Sequence, residues 1–436
     1  MNSLRITFSA LVLAMLPAVL DQTILATALP TVASDLGSLS DVSWLVTAYV
    51  VAATAATPMW GKLGDRLGRK RMLQTALAWF VIASAICGVA QTLTELVVLR
   101  FVQGIAAGGL MTLAMASVGD LVAPRERGRY QGYIAMAFAA ATVVGPLIGG
   151  VLVDNASWRW VFYVNVPLGV LAFFVLAARL PAGSVEESPK RLDYIGFGLL
   201  AGATVALMLA CVWGGGRYAW DSLEIVGLFL VAALLAAALV WRERRAADPI
   251  VPLSMLTTPV VAIASLALFL GTAGLFAVTV FVPLLLQAGT GASPTEAGLL
   301  LVPMMVGTVV STNVAGRLIS ATGRYKRFPL LGLGLMTAGL ALLAVVAVQN
   351  AVDRRVLGTA TATTGFFRAL GGAVGAAVLG AVFAGRAGHA SGSLGGVDPA
   401  KIADAVEAVF WAAAPLTLLA LLVVLRLPEV ELRRSA

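Results

Sequence analysis

Charge is scarce in this chain. Asp, Glu, Lys and Arg make up 12% of its 436 residues, whereas a soluble domain carries about 25%. With 60% hydrophobic residues and a mean hydropathy of +0.94, that shortage excludes a soluble protein of this length. Cysteine is nearly absent too. Cys87 and Cys211 both lie inside apolar runs and read as small buried hydrophobes. The lone histidine, His389, sits in the Gly- and Ser-rich stretch 387–399 and reads as solvated rather than catalytic. No zinc spacing, nucleophile arrangement or phosphate-binding loop is present, and Gly214-Gly215-Gly216 lacks the Lys-Ser/Thr that a phosphate cradle needs. The expectation is therefore no metal, no cofactor and no enzyme.

What the chain has in abundance is apolar runs of about 20 residues, the length a helix needs to span a bilayer and far too long for barrel strands. Helices are expected over 7–30, 42–60, 73–90, 96–122, 131–153 and 158–180, then 194–213 and 223–241. Further runs follow at 259–287, 295–320, 328–348, 358–384 and 405–427. The fold class is all-α integral membrane, with about thirteen transmembrane helices. Residues 1–180 form a six-helix bundle, 181–250 a polar linker and a two-helix hairpin, and 251–436 a second bundle. The N-terminus, with Arg5 before a long run lacking a cleavage site, reads as a retained first helix.

Net charge is +8, but the cations cluster in short segments beside apolar runs. That is a membrane-topology signal, not a nucleic-acid surface. With Met1 in the cytoplasm, alternate connections hold Lys62 to Arg71, Arg125 to Arg129, Arg179 to Arg191, Arg242 to Arg245 and Arg317 to Arg327. Gly316-Arg317-Leu318…Gly323-Arg324…Lys326-Arg327 echoes the first basic stretch, as expected of two pseudo-symmetric halves. After Arg327 the alternation breaks. A single apolar run separates it from Arg354 and Arg355; a helix missing between residues 343 and 349 is the expectation, and a re-entrant run, costly in lipid, is the alternative.

The stretch Gly61-Lys62-Leu63-Gly64-Asp65-Arg66-Leu67-Gly68-Arg69-Lys70-Arg71 places five cations and one carboxylate in what reads as a loop between two spans. Its pattern GxLGDRxGRKR resembles the loop between the second and third helices of the major facilitator superfamily. Leu20-Asp21-Gln22-Thr23-Ile24, Trp44-Leu45-Val46-Thr47-Ala48-Tyr49, Leu99-Arg100-Phe101-Val102-Gln103-Gly104, Gly145-Pro146-Leu147-Ile148-Gly149-Gly150, Trp158-Arg159-Trp160-Val161-Phe162 with Asn165 and Pro167, Gln349-Asn350-Ala351-Val352 and Phe366-Phe367-Arg368-Ala369-Leu370-Gly371-Gly372 carry the match further. They are similar to the fourteen-helix drug:proton antiporter branch. That resemblance implies a proton-coupled exporter of small lipophilic or cationic compounds, monomeric and multi-pass in a bacterial cytoplasmic membrane. Where the family pattern has two helices before Gln349, this chain has room for one. The alternatives are an importer or symporter of a small metabolite, and a truncated membrane protein that folds but does not transport.

Several residues carry candidate chemistry. Asp21 lies deep in the first run, where an ionisable group must face a cavity, pair with a cation or hold a proton. Burial disfavours a charged carboxylate, so such a site suits proton binding. Packing of Asp21 against Thr23 or Thr27 is the structural alternative. Arg100, with Gln103 nearby, needs a carboxylate or carbonyls, or else snorkels outward near Glu95. Arg368 poses the same question in the second half. Gly61, Gly64, Asp65, Arg66, Gly68 and Arg69 read as a conformational latch against the other half. Gly145 and Gly149 have small-xxx-small spacing beside Pro146 and Gly150, a close helix-packing motif, and Gly371, Gly372 and Gly375 read as its counterpart. Trp44, Tyr49, Trp213, Phe276, Phe366 and Phe367 are candidates for an aromatic cavity lining.

Overall fold

A computed structural model describes residues 2–36, 44–181, 192–214, 217–246, 248–273 and 302–322, with 365–372 and isolated positions up to 424. Among the described residues every regular element is a helix. In chain order they are α1 (Asn2–Leu36), α2 (Trp44–Leu67), α3 (Arg69–Cys87), α4 (Leu93–Leu121), α5 (Pro124–Asn155) and α6 (Trp160–Arg179, with one turn residue at Val164). They continue as α7 (Tyr194–Trp213), α8 (Leu223–Glu243), the short α9 (Leu253–Thr257), α10 (Pro259–Ala273) and α11 (Val302–Thr322).

The helices run past the apolar stretches at both ends. α1 continues through Pro17 and Pro30 to Leu36, since neighbouring helices satisfy the freed backbone groups. The largest correction concerns the basic stretch. Gly61 to Leu67 belong to α2, and Arg69 already begins α3. Lys, Leu and Arg are good helix formers, so charge alone does not end a helix. The break is Gly68, with φ 91°, a backbone conformation that L side chains rarely adopt. Local chemistry fixes the other starts. Thr92 and Glu95 form a capping box ahead of α4, and the side chains of Asp193 and Ser222 accept backbone N–H bonds at the starts of α7 and α8.

Helices α1 to α6 pack around two stacked apolar clusters. One gathers Leu11, Met15, Trp60, Leu73, Leu77 and Leu113 at the basic end. The other gathers Ile24, Val32, Leu45, Leu96, Trp158 and Phe162 at the opposite end. Because lipid is as apolar as leucine, close packing rather than hydrophobicity holds such helices together. α4 lies directly on α2: Gly104 and Gly108 face the backbone at Tyr49 and Ala53, and a methyl group at either would meet main-chain atoms. α5 crosses α11 where Gly128 meets Gly316, joining the first half to the second. α7 packs on α2 and pairs with α8. In the second half, Gly371 and Gly375 lie against the backbone of α10 at Phe269 and Ala273.

The expected span 259–287 is described to Ala273, and that over 295–320 from Val302. The run 328–348, the absent helix, Phe276 and His389 lie outside the described residues.

The glycine contacts predict a sharp contrast. Gly104→Leu or Gly108→Leu forces α2 and α4 apart and abolishes the monodisperse peak in detergent size-exclusion chromatography. Gly227→Leu, with nothing within 4 Å of its added carbon, leaves that peak unchanged.

Candidate functional site

Between the two apolar clusters lies a thin polar layer. On α1 the clusters meet at Leu20 and Asp21. On α4 they leave a gap at Arg100 and Gln103, on α3 at Ser84 and on α6 at Asn165. These side chains converge although they are far apart in the chain. Asp21, Gln103, Ser84 and Asn165 are 0% exposed and Arg100 is 1% exposed.

The Asp21 carboxylate is the hub. One oxygen, Oδ2, forms an ion pair with Arg100 Nη1. The other, Oδ1, accepts from Asn165 Nδ2 at 2.8 Å and from Gln103 Nε2 at 3.1 Å. Arg100 is itself held on every side. Its Nε donates to the Leu45 carbonyl at 3.2 Å, Nη1 also donates to Gln103 Oε1 at 2.8 Å, and the guanidinium sits 4.2 Å from the Tyr49 ring centroid. Tyr49 is fixed in turn by donating its hydroxyl to the Ala18 carbonyl at 3.2 Å. Asn165 also donates to Ser84 Oγ at 3.0 Å, and Ser84 donates to the Phe162 carbonyl at 2.9 Å. A buried charge survives only when paired and hydrogen-bonded in this way. One atom stands out: Asn165 Oδ1 is buried with no hydrogen-bond partner among the described residues.

Asp21, Arg100 and Gln103 therefore come together, and Arg100 does not snorkel. Glu95, its suggested outward neighbour, serves the α4 capping box instead. Thr23 and Thr27 do not partner Asp21. Thr23 donates to the carbonyls of Leu20 and Ala141, and Thr27 to that of Ile24, because helix geometry turns these hydroxyls back onto the backbone. Arg368 lies in the helical segment 365–372, and among the described residues no bond joins it to this cluster. Asn165 and Ser84 were missed as site residues. The available signal was an asparagine one turn inside an otherwise apolar span.

The basic stretch forms a second polar cluster at the end of α2. Asp65 pairs with Arg69 at 3.1 Å, and Arg69 also pairs with Asp120 at the end of α4. Lys62 pairs with Asp248, as does Arg66 at 3.7 Å. These described pairs tie α2 to α3, α3 to α4, and α2 to the segment after α8. Gly61 and Gly64 are buried within α2, and a methyl group at Gly64 would overlap Leu113. On α5, Gly145 and Gly149 press against Thr23, Ile24 and Thr27 of α1. Pro146 is exposed, and a methyl group at Gly150 would meet nothing within 4 Å among the described residues. Trp44 meets Trp213 edge-on at 5.4 Å, and Phe366 meets Phe367 at 5.5 Å.

Six of the described helices are long and apolar enough to cross a membrane. The sequence pattern of the Major Facilitator Superfamily matches residues 11–353. The chain belongs to this superfamily. It is thus a multi-pass membrane protein of a transporter family. It is 39% identical over 408 residues to an uncharacterized MFS-type transporter of Mycobacterium tuberculosis, covering 87% of this chain and 59% of that protein. The chain thus spans about three fifths of that relative's length. It is 34% identical to the multidrug transporter protein MdtP of Bacillus subtilis over 410 residues, 87% of this chain and 75% of that protein. The human organic anion transporter MFSD10 has the same fold, with a TM-score of 0.64, 16% identity and coverage of 97% of this chain and 99% of that one. The proton:xylose symporter XylE matches equally, at 0.64 and 16%, over 98% and 96% of the two chains.

The geometry predicts strong coupling within the pair. Asp21→Asn and Arg100→Gln each strand one buried partner and cost about 3–5 kcal/mol. The double variant costs clearly less than their sum in detergent unfolding measurements, whereas additive losses would show that the two groups do not act as a pair.

Proposed function

We propose that this protein is a proton-coupled antiporter of the cell membrane that exports small lipophilic or cationic compounds, with Asp21 as the proton site. The observation that carries this reading is the fully buried Asp21–Arg100 pair braced by Gln103 and Asn165. Intramembrane ionisable groups are costly and mark transport sites and proton relays. Efflux, rather than import, is supported by the names of the Bacillus subtilis relatives, a multidrug transporter protein and Multidrug resistance protein 3.

The chemistry follows from the bonds. In the arrangement described, the carboxylate is paired with Arg100 and closed off from solvent. Adding a proton cancels its charge, releases Arg100 and turns one Asp21 oxygen into a donor. Asn165 Oδ1, buried and unpaired, accepts that new O–H after a half-turn of the amide. Protonation thus exchanges one bonded set for another and leaves Arg100 seeking a new partner. A cationic substrate competes with the proton for the same carboxylate, which supplies the reciprocal coupling that antiport requires. The bundle opens and closes around this layer by rocking at crossings such as Gly128 on Gly316.

The test is transport by reconstituted protein. Asp21→Asn abolishes export of a lipophilic cationic dye driven by an imposed proton gradient, yet the protein still purifies as a folded species. Full gradient-driven export by that variant removes Asp21 from the proton path. Asn165→Leu retains the ion pair but shifts the pH profile of export, while Asn165→Gln restores part of the wild-type profile.

A further inference from the structure

We propose that the outer face of α3 and α6 binds an anionic phospholipid of the cytoplasmic leaflet at a defined site. A groove of about 740 Å³ runs between these helices on the side away from the Asp21 cluster. Its upper wall is polar, formed by Arg71, Gln74 and Thr75, and its lower wall is apolar, formed by Ala78, Trp79, Ile82 and Phe173. Arg71 is exposed, and among the described residues it forms no ion pair.

A second cation, half-buried, ties the neighbouring ends of the two helices. Lys70 donates Nζ to the Ala177 carbonyl at 2.8 Å, fixing the ends of α3 and α6 together. Arg179 lies two residues beyond Ala177, is also exposed, and its carbonyl is anchored by the Thr7 hydroxyl at 3.1 Å. The rim therefore presents Arg71 above an apolar channel, with Arg179 following at the tied end of α6.

Two properties of the groove identify the occupant. The charge is positive, and the basic end of the bundle is the cytoplasmic one, where anionic lipids concentrate. The length also fits. Arg71 and Ile82 both lie on α3, and at 1.5 Å per residue the wall between them is about 16 Å long, close to half of a 30 Å hydrocarbon core. A phosphate at the arginines and an acyl chain along Ala78, Trp79 and Ile82 fill the groove from headgroup level to the bilayer centre. Trp79 and Phe173 supply the flat walls on which such a chain lies.

Native mass spectrometry of the full chain in detergent tests this, with phosphatidylglycerol, phosphatidylcholine and glycerol 3-phosphate as the added ligands. Phosphatidylglycerol is expected to bind in preference to phosphatidylcholine. Arg71→Gln and Arg179→Gln should each weaken it roughly fivefold, the effect of one cation near a charged lipid surface. Ala78→Trp, which fills the apolar channel and leaves both arginines intact, should weaken it as well. Equal binding of the two lipids overturns the proposal, as does unchanged phosphatidylglycerol binding in the arginine variants. Glycerol 3-phosphate binding as tightly as the lipid, with Ala78→Trp without effect, also overturns it by reducing the site to a phosphate contact. None of these substitutions touches Asp21, so transport and lipid binding fail independently.

Discussion

The Asp21–Arg100 ion pair sets the terms for the first half of this protein. Two opposite charges buried to 0% and 1% exposure in a bundle of apolar helices are tolerable only while each stays bonded. Everything around them serves that requirement. Gln103 bridges both partners, Asn165 reaches across from α6, the Leu45 carbonyl takes the Arg100 Nε–H, and Tyr49 covers the guanidinium face. The pair is strong as long as it is complete and expensive once broken, which is the character of a two-state element.

Packing is organised to hold that layer in place. Apolar clusters lie above and below it, and the polar side chains between them are buried. Glycines set the distances. Gly104, one residue from Gln103, brings α4 against the backbone of α2 at Tyr49, so the ring that covers Arg100 and the helix that carries it are spaced by a single contact. Gly145 and Gly149 bring α5 onto α1 beside Thr23 and Thr27, close to the carboxylate but with no bond to it. At the basic end, Lys62, Arg66 and Arg69 bind Asp248, Asp65 and Asp120, so the positive stretch that orients the protein in the bilayer also ties α2 to its neighbours.

Much of this was legible beforehand, because hydropathy over about 20 residues is a local property and the bilayer leaves few alternatives to a helix. The existence of α1 to α8 followed from it, and so did the depth of Asp21 and Arg100 in the bundle, since a charge inside an apolar run is visible in isolation. What was not legible is pairwise. The bonds from Asp21 to Asn165 and from Lys62 to Asp248 link residues more than a hundred positions apart, and neither asparagine nor aspartate announces its partner. Boundaries failed for a different reason. Cations interrupt hydropathy but not helicity, so the stretch from Gly61 to Leu67 read as a loop while its backbone stays helical until Gly68. Thr23 and Thr27 misled as partners for Asp21 because closeness in sequence on a helix is not closeness of side-chain direction.

The central claim is that Asp21 exchanges its bond to Arg100 for a proton. Infrared difference spectroscopy of the purified protein on acidification tests it most directly. The account predicts a new protonated-carboxyl band that is absent in Asp21→Asn and displaced in frequency in Asn165→Leu, where the amide no longer bonds the carboxyl. A spectrum in which no protonated-carboxyl band depends on Asp21 would contradict it.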